Sequence, residues 1–189
     1  MARNDDRRVG LADAALAVLA REGGRGLTHR AVDAEAAVPQ GTTSNYFRSR
    51  TDLVAAVADR IAVRLTPDQS TLDRLGALPP TRELFTLYVR DIVRRLTTER
   101  EVTLALFELR LEAARRPELA ELIGSWLRLG FANDVDFNAR AGLPGGEREI
   151  ALFHYALDGL MLDRLTVSID PDTPTDDVVD ALIEGLLPR

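Results

Sequence analysis

The sequence contains no cysteine, no lysine and only two histidines among its 189 residues. The absence of cysteine excludes disulfides, thiolate nucleophiles and cysteine-based zinc sites, and two histidines are too few for most histidine-rich metal centres. We therefore expect neither a metal site nor a cofactor. No apolar run approaches the roughly 18 residues of a membrane span, and the amino terminus lacks the apolar segment of a secretion signal. The default expectation is a cytoplasmic protein.

Apolar residues make up 46% of the chain, which is enough for a buried core. The net charge of −6 argues against a nucleic-acid partner, but the charge is unevenly distributed. Residues 1–50 contain eight arginines and six acidic residues, a net +2, whereas residues 51–189 carry −8. All 24 basic residues are arginine, which suits bidentate phosphate contacts, but genome composition is the favoured explanation.

The pattern of apolar residues is helical throughout, with repeats at three- and four-residue steps and no sustained strand-like alternation. We therefore predict an all-α protein of about nine helices. They lie, in order, at about 7–22, 28–36, 39–46 and from 50; around Leu84–Leu96 and Val102–Ala113; at about 117–140; and around Ile150–Leu160 and Val178–Leu186.

The segment TPDQSTLDRLGALPPT is rich in proline, glycine and threonine and has no long periodicity, which is typical of a boundary. It predicts a small amino-terminal domain, residues 1–66, and a larger carboxy-terminal domain, residues 67–189.

Two short predicted helices joined by a tight turn, with a longer helix on either side, are typical of a helix-turn-helix unit. The second contains VPQGTTSNYF, residues 38–47, which is polar in the middle and apolar at its ends. In such units the second helix enters the major groove of DNA and presents polar side chains to the bases. We expect Val38 and Phe47 to anchor this helix on a small core and Thr43 to face inward.

The segment THRAVDAEAAVPQGTTSNYFRSRTDLVAAV resembles the DNA-binding segment of the TetR (tetracycline-repressor) family of transcriptional regulators. The residues in register with the family pattern are Thr28, Val32, Ala36, Val38, Gly41, Thr42, Tyr46, Phe47 and Leu53. The chain departs from that pattern at Ala37, where the family usually has glycine, at Ser44, where a tyrosine commonly contacts phosphate, and at Arg50, which replaces a lysine. The resemblance covers about residues 5–65, and nine helices are also that family's number.

The resemblance implies two sets of DNA contacts. Phosphate would be bound by Thr28, Thr42, Tyr46 and Arg50, and bases would be read by Gln40, Ser44 and Asn45. Gly41, which has no Cβ, would let the backbone come close to a neighbouring element or to DNA. The chemistry of these residues agrees, because glutamine and asparagine pair with adenine edges while threonine and tyrosine donate to phosphates.

For the carboxy-terminal helices the resemblance implies a domain that binds a small molecule and forms dimers. The candidate pocket residues are Tyr88, Phe107, Glu108, Trp126 and His154, although a plain core or surface role is commoner for any one of them. His154 and Asp158 lie four residues apart, where they can hydrogen-bond, and a buried core histidine is the favoured interpretation. The eighth and ninth predicted helices are apolar on more than one face, so we expect them to form a homodimer, which suits a palindromic operator.

Three functions are compatible with these patterns. The leading hypothesis is a DNA-binding transcriptional regulator, a repressor that a small-molecule effector releases from its operator. The second is a helical small-molecule-binding or catalytic protein with a vestigial helix-turn-helix, but no nucleophile or acid-base pair supports catalysis, and we expect no enzyme. The third is a sequence-neutral architectural DNA protein, which the net charge of −6 opposes.

Overall fold

The structure, a computed structural model, describes residues 2–188 and contains helices and connecting loops without any strand in that range. The helices are α1 (Ala2–Gly26), α2 (His29–Glu35), α3 (Thr42–Tyr46), α4 (Arg50–Leu65), α5 (Gln69–Gly76), α6 (Arg82–Thr98), α7 (Arg100–Arg115), α8 (Pro117–Arg140), α9 (Glu147–Leu165) and α10 (Thr175–Leu186). The all-α prediction is confirmed, and the described residues form ten helices rather than nine.

The additional helix, α5, lies inside the segment predicted to be a break. Asp68 is its N-cap: its carboxylate accepts hydrogen bonds from the Thr71 amide at 2.8 Å and hydroxyl at 3.1 Å. Hydrogen bonds from the Ser70 hydroxyl and from Thr71 lower the pKa of Asp68 to about 2. Leu75 is buried on the inner face of the helix. A helix of eight residues completes barely two turns, so it gives little periodic signal in the sequence.

Two helix boundaries near the amino terminus differ from those predicted. Helix α1 begins at Ala2 rather than near residue 7, although its regular part stops where predicted, at Gly23, because a backbone φ of +67° there is incompatible with a right-handed helix. Helix α3 begins at Thr42 rather than at Pro39, because Gly41 adopts a φ of +90° and the residues from Pro39 form a turn instead.

The chain divides into two compact units. The first unit comprises residues up to 66 together with 99–126, and in it α1 packs against α2, α4 and α7. Its largest fully buried side chains are Leu11, Val18, Leu19, Leu27, Phe47, Leu53, Ile61, Leu109, Leu119 and Ile123. A bidentate ion pair joins α4 to α1, with the Arg60 guanidinium 2.8 and 3.1 Å from the two carboxylate oxygens of Asp13.

The second unit comprises residues 67–98 and those from 127 onward, and in it α6 packs against α5, α9 and α10. The rings of Phe85 and Phe153 lie 5.0 Å apart in its core. Arg82 caps the carboxyl end of α10 by donating to the carbonyl oxygens of Ile183 at 2.6 Å and Leu187 at 3.1 Å.

The predicted boundary after residue 66 is also a border between the two compact units, but residues 99–126 pack with the amino-terminal helices. The functional division into 1–66 and 67–189 therefore stays a prediction. None of the helices between residues 2 and 188 is long and apolar enough to cross a bilayer.

Candidate nucleic-acid interface

Helices α2 and α3 form the predicted pair, joined by a turn with two residues of positive φ. Thr28 is the N-cap of α2, and its hydroxyl oxygen accepts a hydrogen bond from the Ala31 amide at 3.1 Å. After α2, Ala37 has a φ of +51° and Gly41 a φ of +90°. Glycine adopts such angles without steric cost, whereas the Cβ of alanine is strained there.

The amino end of α3 is held by Asp33, a buried residue of α2. One carboxylate oxygen accepts from the Gly41 amide at 2.7 Å, and the other accepts from the Thr43 amide at 2.7 Å and hydroxyl at 2.6 Å. Burial raises the pKa of Asp33, but the hydrogen bonds from Thr43 and Gly41 outweigh it, so the pKa lies below its ordinary value. Thr43 is fully buried, which confirms that it faces inward.

The carboxyl end of α3 is held by side chains from α1 and α2. Arg8 donates to the Tyr46 carbonyl at 3.0 Å, and its guanidinium lies 4.6 Å from the centre of the Phe47 ring. His29 donates from Nε2 to the Phe47 carbonyl at 2.7 Å. Phe47 itself is fully buried, as predicted for an anchor, while Val38 is half-buried. A five-residue helix is too short to be stable by itself, so these contacts fix its orientation.

The outward surface formed by α3 and the turn before it carries the residues predicted to read bases. Gln40, Ser44 and Asn45 are exposed, and the amides of Gln40 and Asn45 make no hydrogen bond to other residues in the described range. The Ser44 hydroxyl donates to the Gly41 carbonyl at 2.8 Å, which leaves its oxygen free to accept. This surface therefore offers two free amides and one hydroxyl acceptor.

The residues predicted to bind phosphate differ in what they can donate. Thr28 is exposed and its hydroxyl hydrogen is free, because its oxygen is the acceptor in the cap of α2. Thr42 donates to the Pro39 carbonyl at 2.6 Å, so it must release that bond before it can donate to a phosphate. Tyr46 is half-buried at the end of α3.

Arg50 points inward from the first residue of α4. Its Nη1 donates to the Leu27 carbonyl at 2.6 Å, and its Nη2 lies 2.5 Å from the Gly24 carbonyl and 3.2 Å from a carboxylate oxygen of Glu112. A capping box starts α4: Ser49 and Asp52, which stand in the S-x-x-D spacing, exchange two hydrogen bonds of 3.0 Å. The phosphate contact predicted for Arg50 stays a prediction, and in this structure its terminal nitrogens are engaged by protein acceptors.

Three of the five predicted pocket residues belong to the first unit. Phe107, Glu108 and Trp126 are all half-buried. Glu108 is one of the residues that line a cleft of about 640 Å³ in this unit; the lining residues are Glu22, Gly23, Gly24, Arg25, Glu108, Glu112, Arg115 and Arg116. The lining is charged rather than aromatic.

The other two predicted pocket residues belong to the second unit. Tyr88 is half-buried, its ring meets that of Phe137 edge-on at 5.2 Å, and burial raises its pKa. The expectation of a buried core histidine at position 154 is wrong: the side chain is 43% exposed. Nε2 of His154 lies 3.0 Å from the Asp134 carboxylate, and the ring lies 5.6 Å from that of Phe131. Membership of an effector pocket stays a prediction for all five residues.

Two family models match the chain. Residues 11–57, which include the interface just described, match the bacterial regulatory proteins of the tetR family. Residues 80–189 match the tetracyclin repressor-like C-terminal domain. The chain belongs to the TetR family. It is a DNA-binding transcriptional regulator, with α2 and α3 as its helix-turn-helix.

Solved structures of TetR-family proteins resemble the whole chain. The multidrug binding protein EbrR in complex with imidazole is 30% identical, with a TM-score of 0.67 over 97% of this chain and 96% of that one. EbrR in complex with proflavin is 28% identical, with a TM-score of 0.60 over 94% and 98%. A TetR-family member from Streptomyces coelicolor A3 is 26% identical, with a TM-score of 0.73 over 97% and 99%. No curated protein sequence matches the chain.

Proposed function

We propose that this TetR-family regulator is a repressor that binds a palindromic operator as a homodimer and releases it when a small molecule binds. It acts in the cytoplasm, where its operator is accessible, and it catalyses no reaction. The observation that carries this proposal is the exposed polar surface formed by α3 and the turn before it, to which the side chains of Gln40, Ser44 and Asn45 belong.

The proposed DNA contacts follow from the hydrogen-bond donors and acceptors that each side chain has available. Gln40 and Asn45 each present a donor and an acceptor, which match the N6 and N7 groups of adenine in the major groove. The free hydroxyl hydrogen of Thr28 suits a phosphate oxygen, and Thr42 and Tyr46 lie beside the same surface. Because Asp33 already takes the Gly41 amide, Gly41 contributes the left-handed turn rather than a hydrogen bond to DNA.

The predicted dimer helices correspond to α9 and α10. On α9, Tyr155 is 71% exposed and Leu162 is 51% exposed, with the exposed Gly159 between them on the same face. The loop that follows α9 adds Val167 and Ile169, which are 88% and 95% exposed. We propose that a second copy covers these side chains; a palindromic operator needs two recognition helices, because its half-sites lie roughly 34 Å apart on B-DNA.

The proposed effector is a flat aromatic cation. EbrR, which resembles this chain over nearly its whole length, was solved with proflavin. The second unit of this chain supplies the aromatic side chains of Tyr88, Phe131 and Phe137, and residues 51–189 carry a net charge of −8, which favours a cation. Release requires the ligand to bind the DNA-incompetent state more tightly than the DNA-bound state, since equal affinity for both shifts nothing.

The test is a binding titration of the purified protein on fluorescent DNA from the region flanking its own gene, over a series of salt concentrations. The matched control is the same duplex with one half-site of the candidate palindrome scrambled. We expect salt-sensitive binding to the intact site only, and release on addition of proflavin. Equal affinity for both duplexes contradicts operator recognition, and a protein that binds proflavin but no DNA fits the vestigial helix-turn-helix alternative instead.

A further inference from the structure

Glu112, near the carboxyl end of α7, is a buried carboxylate surrounded by three arginines. One oxygen accepts from Arg50 at 3.2 Å and from Arg116 at 3.0 Å, and the other lies 3.7 Å from Arg115. The side chain of Glu112 is 6% exposed, whereas those of Arg115 and Arg116 are 64% and 41% exposed. A buried carboxylate is tolerated only when it is paired, and Arg50 is the partner with the least exposed side chain.

The backbone at the end of α1 is shaped to admit Glu112. A Cβ added at Gly24 would lie 2.1 Å from the Cδ atom of Glu112, so only glycine allows the carboxylate to lie this close. The Gly24 carbonyl is in turn one of the acceptors of Arg50. Arg50 and Glu112 therefore lie against the same stretch of backbone, 62 residues apart in sequence.

The same arginine also fixes the start of the helix-turn-helix. Its Nη1 donates to the carbonyl of Leu27, the residue before Thr28, which caps α2 and is a proposed phosphate ligand. The backbone of Arg50 forms the first turn of α4. One guanidinium thus links the beginning of α2, the beginning of α4 and the end of α7.

We propose that Arg50 is a positioning residue rather than a phosphate ligand: it ties the starts of α2 and α4 to Glu112 of α7 and so sets where the DNA-reading surface lies. The inference rests on the proposed function for its effect on DNA, but the tie itself exists in the free protein. A conformational change of α7 then reaches the DNA contacts through Glu112 and Arg50.

The substitution Arg50→Lys distinguishes a positioning residue from a phosphate ligand. A lysine ammonium serves a phosphate as a point charge, but it lacks the planar fork that here bonds two carbonyls and a carboxylate. If Arg50 is the tie, Arg50→Lys and Glu112→Gln each weaken operator binding by about tenfold. The double variant is then no weaker than the worse single variant, because both substitutions break the same link. The salt slope stays at the wild-type value in all three.

A phosphate ligand gives the opposite pattern. Arg50→Lys then keeps the affinity, Arg50→Ala lowers the salt slope by about one, and Glu112→Gln leaves binding unchanged or tighter. Arg48→Ala is the matched control, since Arg48 is an exposed arginine two residues earlier. Circular dichroism at the temperature of the titration verifies that every variant is folded.

Amide hydrogen exchange of the free protein tests the tie without DNA. We expect the amides of the first hydrogen-bonded turn of α2, from Val32 onward, to exchange about tenfold faster in Arg50→Lys and Glu112→Gln than in the wild type or Arg48→Ala. If the exchange rates of these amides are unchanged in the variants, Arg50 does not position α2, and this conclusion does not depend on whether the protein binds DNA. A wild-type protein that binds no operator removes the proposed function, and the exchange rates still decide the role of Arg50.

Discussion

The carboxylate of Asp33 holds Thr43 by two hydrogen bonds, with one oxygen 2.7 Å from the Thr43 amide and 2.6 Å from its hydroxyl. Both residues are buried, so water cannot replace these bonds. The second oxygen holds the Gly41 amide at 2.7 Å. One side chain of α2 therefore supplies the acceptors that the amino end of α3 needs.

Replacing Asp33 by alanine is expected to destabilise the protein by about 3 kcal/mol, because the buried amide and hydroxyl of Thr43 and the half-buried amide of Gly41 lose their acceptor. Urea denaturation followed by circular dichroism measures the loss. Asp59→Ala is the control, since Asp59 is an exposed carboxylate on α4, and it should change stability by less than about 0.5 kcal/mol. Similar losses for the two variants would contradict the role assigned to Asp33.

Acid should weaken the same contact. The folded pKa of Asp33 is lowered, so its stabilising contribution is present above the unfolded pKa of about 3.9 and is lost as the pH falls through the folded value. Asp33→Asn cannot titrate at this position. We expect the difference in urea midpoint between wild type and Asp33→Asn to shrink as the pH is lowered from about 6 to about 3. A difference that is constant over that range would mean that Asp33 has the same pKa folded and unfolded.

Ala37 is a position where a smaller residue should stabilise the fold. Its φ of +51° is strained for alanine, and glycine removes that strain. Glycine also makes the unfolded chain more flexible, which offsets part of the gain. We therefore expect Ala37→Gly to raise the free energy of unfolding by about 0.5 kcal/mol. Ala34→Gly, within α2, should instead lower the free energy of unfolding by up to about 1 kcal/mol. Thermal unfolding of both variants checks the opposite signs, and a destabilised Ala37→Gly would refute the strain argument.

The preference of the protein for its operator sequence should depend on the free side-chain amides of Gln40 and Asn45. Asn45→Ala or Gln40→Ala is expected to reduce discrimination between the operator and single-base variants by about 1 to 3 kcal/mol, the value of one bidentate base contact. Competition titrations with the operator duplex and its single-base variants measure this quantity. Losses of equal size on the operator and on its variants would instead place these side chains on the phosphate backbone.

The exposed apolar face of α9 should control dimerisation. Leu162→Glu places a charge on that face, and we expect sedimentation velocity to show a shift from dimer towards monomer. Val63→Glu is a matched control, because Val63 is also exposed, at 61%, but lies on α4. If Leu162→Glu leaves the dimer intact, the interface lies elsewhere on the protein.

Local patterns in the sequence predicted most of the fold and part of the site. The capping box of Ser49 and Asp52 depends on residues three positions apart, and Phe47 is an apolar residue at the end of a polar stretch, so the sequence contains a signal for both. The contacts of Asp33 depend on the turn at Gly41, which returns the chain to α2. In the sequence, these contacts of Asp33 are indicated only by an acidic residue that is followed eight residues later by a glycine.

Arg50 illustrates what local patterns cannot give. The family resemblance implied a phosphate contact and so an outward side chain beside DNA, but a long arginine can reach inward as easily. The acceptors that draw it inward are the carbonyls of Leu27 and Gly24 and the carboxylate of Glu112, and no local pattern pairs residues that lie 23, 26 and 62 positions apart. Tertiary packing of α7 against α1 and α4 decides the direction of this side chain.

Holding α3 in place and presenting side chains to DNA depend on different residues. Asp33, Arg8 and His29 hold it through backbone groups and through the buried Thr43 and Phe47, while the outward side chains of Gln40 and Asn45 hold nothing within the described range. Operator preference can therefore be rewritten by exchanging the outward side chains with little effect on folding. The same scaffold can accept a new target site one base pair at a time, both in natural divergence and in engineered repressors.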